Sequence, residues 1–233
     1  MSKIPLILVP GLLCDDALWA PQTKWLSDIA DISVGETQID DNFPAMAERI
    51  LETAPQHFAL AGLSMGGYVC MEIMRQAPER IERLALFDTS GRADTVDQTK
   101  RRKALIELAT IGKFKGVTPR LLPLLIHKDR QNDKELTDAV IAMAGRVGQA
   151  GFLRQQTAIM NRPDRQAEMA MYDLPVMVVC GRQDALTPLD LHEEMAELIP
   201  LARLCLIEEC GHLSTLEQPH AATALMRDWL LRD

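Results

Sequence analysis

The apolar run at residues 58–63 ends in Gly62-Leu63-Ser64-Met65-Gly66-Gly67 and passes directly into an amphipathic stretch over residues 65–76. Six apolar residues without alternation suit a strand buried on both faces, and the period that follows suits a helix. A strand that meets a helix at a glycine-flanked serine demands a sharp, crowded turn, and this leaves few architectures open. The same pairing recurs. Residues 4–9, a weaker run at 32–37, and 83–87 read as further strands, with helices over 18–29 and 44–53. Strands at 175–180 and 203–207, with helices over 188–199 and 218–231, complete the pattern. Alternating strands and helices with continuous apolar strands predict an α/β protein: a doubly wound, mainly parallel sheet of six strands.

Between residues 91 and 172 the strand signal disappears. Helical patterns follow one another at 95–111, 118–127, 135–147, 152–160 and 166–171. A crossover between parallel strands needs only about a dozen residues, so this stretch reads as an insertion. The expected division is a core of residues 1–91 and 172–233 with a helical insertion, residues 92–171. Leu121, Leu122, Leu124, Leu125, Met143, Phe152 and Met160 could line a pocket or build the core of the insertion, and helical spacing does not separate the two uses.

Composition narrows the partners. The 233 residues carry a net charge of -8, a field that repels nucleic acid and anionic membrane unless locally reversed. Lys100-Arg101-Arg102-Lys103 is such a local reversal, and reads as a solvated helix face or as a guide for anionic substrates. The first apolar run is cut off by Pro10-Gly11, too early for a signal-peptide core, and no segment is long enough to span a bilayer. Cys14, Cys70, Cys180, Cys205 and Cys210 form no CxxC pair, which points to reduced thiols and a cytoplasmic protein.

The chemistry is concentrated at strand ends. Gly62 and Gly66 flank Ser64 where bulkier side chains would collide with the turn, and the turn lifts the hydroxyl to the carboxyl edge of the sheet. A serine hydroxyl needs a base, and the base needs an orienting acid. Asp184 follows the fifth predicted strand and His212 the sixth, so all three fall on the edge where open α/β sheets bind ligands. Thr187 reads as the cap of the next helix, with Pro188 in its first turn. Asp88 closes the fourth strand on the same edge as a rival acid, although a turn cap by Asp88 and Thr89 would also account for it. His57, His127, His192 and His220 read as surface or capping residues. No HxH or HxxxH spacing occurs, so no metal site is expected. The backbone N–H groups of Leu12 and Met65 are candidate donors to an oxyanion, while a plain strand-to-helix turn remains the other reading of residues 10–16.

These residues resemble the α/β-hydrolase superfamily over nearly the whole chain. The stretches 62–67, 77–89, 181–188 and 211–219 are similar to its 3-oxoadipate enol-lactonase branch. The resemblance implies Ser64 as nucleophile, Asp184 as acid, His212 as base, Leu12 and Met65 as oxyanion donors, and residues 91–172 as a helical cap. It implies a serine hydrolase that needs no cofactor and cleaves a small carboxylic ester or lactone. Neighbouring branches with the same triad include thioesterases, carbon-carbon bond hydrolases and perhydrolases, and some members are non-catalytic ligand receptors. The chain departs from the branch in lacking a leading β-hairpin and in reading Pro10-Gly11 where the branch has His-Gly.

Overall fold

A computed structural model describes residues 3–232. Six strands, β1 (Ile4–Val9), β2 (Ala30–Val34), β3 (Phe58–Leu63), β4 (Ile81–Phe87), β5 (Val176–Gly181) and β6 (Ala202–Ile207), form one sheet in the order β2-β1-β3-β4-β5-β6. Every neighbouring pair is parallel. The helices are α1 (Ala20–Trp25), α2 (Phe43–Thr53), α3 (Met65–Gln76), α4 (Val96–Leu108), α5 (Leu122–Leu125), α6 (Lys134–Met160), α7 (Gln166–Met169), α8 (Leu189–Leu198), α9 (Ser214–Glu217) and α10 (Pro219–Leu231).

The strands alternate between two cores. Leu6, Leu8, Ala59, Ala61, Ala85 and Phe87 face one side, where they pack with Trp19 and, from α10, Met226 and Trp229. Ile7, Val9, Phe58, Leu60, Leu84 and Leu86 face the other, against Met46 and Ile50 of α2, Val69 and Ile73 of α3 and Met195 of α8. Apolar side chains at both parities of the strand explain why the sequence shows continuous runs rather than alternation. Each fully buried Leu, Ile, Val, Phe or Met among them contributes about 1.5–3 kcal/mol by leaving water, and each Ala less. Between β4 and β5 the chain is helical, and Val140, Met143 and Phe152 of α6 join the first core.

Several boundaries differ from expectation for local reasons. The second strand starts earlier and stops at Val34, because its ladder with β1 covers only Ile4 to Leu8. The helix expected over 18–29 is a 3-10 turn, Asp16–Trp19, followed by the short α1, which restarts at Pro21 in its first turn. The stretch 118–127 holds only the four residues of α5, since Pro119 and Pro123 interrupt helical hydrogen bonding. The two helices expected at 135–147 and 152–160 run together in α6, broken at Gly148 with φ 66°. Among the described residues, no helix is long and apolar enough to cross a membrane.

Candidate active site

Ser64 sits between β3 and α3 with φ 56° and ψ -117°, a conformation that costs a non-glycine residue roughly 1–3 kcal/mol and persists only where the surroundings enforce it. Here they do. A Cβ at Gly62 would overlap the Gly66 carbonyl and the Cys70 sulfur, and one at Gly66 would overlap the Val9 backbone. The Ser64 N–H donates to the Phe87 carbonyl at 2.9 Å, and the Thr89 hydroxyl donates to the Ser64 carbonyl at 2.8 Å. With its backbone held on both sides, the serine keeps its hydroxyl partly exposed at the sheet edge.

Ser64 Oγ lies 2.8 Å from His212 Nε2, and His212 Nδ1 lies 2.8 Å from Asp184 Oδ2. Both the imidazole and the carboxylate are buried. Burial alone would raise the Asp184 carboxyl, but the facing His212 charge and donors on Thr187 outweigh it and hold the group below the usual carboxylate value. Burial likewise opposes the charged form of His212, yet Asp184, Asp88 and Glu217 together push its pKa above the usual imidazole value. Thr187, expected as a helix cap, instead donates its hydroxyl to Asp184 Oδ2 at 2.7 Å, and Pro188 occupies the cap position of α8.

The oxyanion candidates lie in the loop after β1 and at the start of α3. Neither the Leu12 nor the Met65 N–H donates to an acceptor among the described residues. The adjacent Leu13, at φ 59°, donates its N–H to the buried Gln155 Oε1 of α6 at 3.0 Å, and Gln155 Nε2 donates to the Thr37 carbonyl at 3.2 Å. The helical segment also holds the turn that carries His212. His212 and Leu213 both donate their N–H groups to the Leu125 carbonyl, at 3.0 and 3.2 Å. Glu217, fully buried, accepts from the N–H groups of Gly211, Leu213 and His127.

Asp88 and His192 depart furthest from expectation. Asp88, expected as a turn cap or a rival acid, bonds to neither its own turn nor His212: it is fully buried at φ 44°, and its carboxyl accepts from the Gly181 N–H at 2.8 Å and from both the N–H and the hydroxyl of Ser214. His192, expected at a surface or cap, is fully buried, and its Nε2 accepts from the Thr89 N–H at 3.1 Å. Burial lowers its pKa to about 4, so it is neutral. Asp88, Cys180 and His192 come within 4.8 Å of one another, yet their donor atoms are already engaged by backbone partners. His57 and His220 are exposed, and His220 stacks on Trp25. His127 is buried and caps a 3-10 turn. All five cysteines are buried, and desolvation raises the Cys14 thiol to about 12.

Gln155, Ser214 and Glu217 were not singled out by sequence. Glu217 lies five positions after His212, a spacing that could have drawn attention to it. Gln155 lies 142 residues from its partner Leu13, and nothing local marks it.

A family profile described as the alpha/beta hydrolase fold matches residues 9–219. A relative from Agrobacterium fabrum, named for carbamate hydrolysis, is 26% identical over 99% of this chain and 94% of its own. An esterase from Thermogutta terrifontis, solved with malate bound, superposes with a TM-score of 0.88 at 26% identity, covering 98% of this chain and 90% of the other. The enol-lactonase of Burkholderia xenovorans superposes with a TM-score of 0.86 over 99% and 92%, and at 20% identity it speaks to the fold.

Proposed function

The chain belongs to the alpha/beta hydrolase fold family, and we propose that within it Ser64, His212 and Asp184 hydrolyse a small carboxylic ester or lactone through an acyl-enzyme. The observation that carries this reading is the unbroken pair of 2.8 Å contacts from Ser64 Oγ through the imidazole to Asp184, with the serine in a strained turn at the carboxyl edge of the sheet. His212 Nε2 takes the hydroxyl proton as Ser64 Oγ adds to the carbonyl carbon, and returns it to the leaving alkoxide as the carbon-oxygen bond breaks. Water, deprotonated by the same nitrogen, then releases the acid and restores Ser64. The Leu12 and Met65 N–H groups receive the oxyanion in both halves, aided by the positive end of α3.

The ester class draws support from the Thermogutta esterase, and the carbamate-named relative extends it to a neighbouring carbonyl. In this reading residues 92–171 form a cap that shapes the pocket, since they bond to both the oxyanion loop and the His212 turn. Buried, unpaired cysteines fit a reducing compartment such as the cytoplasm.

The test is labelling and turnover. A fluorophosphonate should label Ser64, and Ser64→Ala should lower p-nitrophenyl ester hydrolysis by at least about a thousandfold. Labelling elsewhere, with Ser64 silent, would remove the assignment. Substrate binding without any turnover of esters, lactones, thioesters or carbamates would indicate a receptor instead.

A further inference from the structure

Asp88 plays no part in the proposed chemistry, yet its buried side chain bonds to both of the segments that carry Asp184 and His212. One oxygen accepts from the N–H of Gly181, at the end of β5, and the Gly181 carbonyl in turn accepts from the Asp184 N–H at 3.0 Å. The other oxygen accepts from the N–H and hydroxyl of Ser214, two residues beyond His212. We infer that Asp88 is a positioning residue: its carboxyl group braces the turn that carries Asp184 against the turn that carries His212, and so fixes the distance between acid and base. This rests on the triad reading above.

The surroundings suit a brace better than a second acid. All three donors to Asp88 are backbone or hydroxyl groups, and His212 Nδ1 is already taken by Asp184. The titratable groups that face Asp88 are Asp184 and His212 at the edge, Cys180 of β5, Cys210 in the turn after β6 and His192 of α8. Burial, reinforced by the Asp184 charge, raises the Asp88 pKa to about 8. The Ser214 hydroxyl donates to the ionised carboxylate and can equally accept the proton of the neutral acid, so the brace holds in either protonation state. When His212 is protonated its charge favours ionised Asp88, so the acid limb of the rate profile belongs to the two groups jointly.

The experiment compares Asp88→Ala, Asp88→Asn and Ser214→Ala in the full chain. Two readouts are taken: steady-state hydrolysis of a p-nitrophenyl ester against pH, and the far-downfield proton resonance of the His212–Asp184 hydrogen bond, which needs no turnover. Asp88→Ala, which removes the brace, is expected to lower kcat by about 10- to 100-fold, the scale of a sub-ångström to 1 Å misplacement, with KM changed by less than about threefold. Its downfield resonance should shift or broaden. Asp88→Asn retains an acceptor for Gly181 and gains a donor to the Ser214 hydroxyl, losing only the acceptor for the Ser214 N–H at 3.3 Å, so it should recover much of kcat and the resonance while moving the acid limb to lower pH. Ser214→Ala should lower kcat in the same direction as Asp88→Ala, by less. Should Asp88→Ala fail to fold, the Asp88→Asn and Ser214→Ala pair still decides. An unchanged acid limb in the first together with unchanged kcat and resonance in the second would overturn the brace. A wild type that hydrolyses no ester and is not labelled at Ser64 would refute the triad reading instead, and the resonance would still report whether Asp88 holds the two turns.

Discussion

The Thr187 hydroxyl donates to Asp184 Oδ2 at 2.7 Å, the same oxygen that lies 2.8 Å from His212 Nδ1. The other oxygen, Oδ1, accepts from the N–H groups of Leu186 and Thr187 at 2.8 and 3.0 Å. The carboxylate is thus fixed in rotation as well as in place, and the two oxygens are not interchangeable.

That asymmetry sets the outcome of Asp184→Asn. Two backbone donors require the amide oxygen at the Oδ1 position, which turns the NH2 group toward His212. The imidazole must then accept at Nδ1 and carry its proton on Nε2, the tautomer that cannot take a proton from Ser64. A loss of about ten-thousandfold in kcat is expected. Thr187→Val, which removes one of several donors, should cost far less. Comparable losses in the two variants would show that Thr187, and not charge on Asp184, holds the imidazole.

The acid limb of kcat/KM follows from the same charges. His212 must be neutral to act as base, and Asp184, Asp88 and Glu217 raise its pKa against the opposing effect of burial. Activity should therefore rise with pH through an apparent pKa above the ordinary value of about 6.5. The linked stability runs the other way: the raised imidazole stabilises the fold below its unfolded pKa, and this contribution is lost as pH rises through the folded value. Profiles of rate and of thermal unfolding from pH 5 to 9 check both signs. A limb centred below the ordinary value would mean that burial outweighs the anions.

Much of this site was legible because it is local. Glycines at 62 and 66, a serine between strand and helix, and Asp184 and His212 just past two later strands are visible within short windows, and the parallel order of strands places them on one edge. What sequence did not reveal depends on contacts between distant segments. Thr187 could be read as a cap because threonine before a proline is a common helix start, whereas its hydroxyl is claimed by a carboxylate three residues earlier. The burial of Asp88 and His192 follows from the packing of β4, β5 and α8 against one another, which no single segment encodes. Proline and glycine placed the breaks in the helical segment between β4 and β5, but where those helices pack is a tertiary outcome.

Gln155 offers a test of that tertiary layer. It links the Leu13 N–H beside the oxyanion candidates to the Thr37 carbonyl, across 142 and 118 residues. Gln155→Leu would leave two buried backbone groups unpaired, at about 1–3 kcal/mol each, and free the loop that presents the Leu12 N–H. A fall in kcat of about 10- to 100-fold with little change in KM is expected, since a displaced oxyanion donor weakens transition-state binding more than substrate binding. Gln155→Glu keeps an acceptor for Leu13 and should retain more activity. Equal rates in all three proteins, with calorimetry showing only lost stability, would make Gln155 a purely structural tie.

Phe152 decides between support and selection in the helical segment. Its ring is buried and lies 5.2 Å from that of Phe114, within the core that joins α6 to the sheet, whereas Met160 is only partly buried. Phe152→Ala should therefore act mainly on stability, costing about 3–5 kcal/mol and lowering the melting temperature by roughly 6–20 °C for a chain of this size. The ratio of kcat/KM between short and long acyl esters should stay within about twofold in the fraction that remains folded, because one methylene in a pocket already changes such ratios by about tenfold or more. A tenfold change in that ratio at an unaltered melting temperature would place the Phe152 ring against the acyl chain instead of in the core.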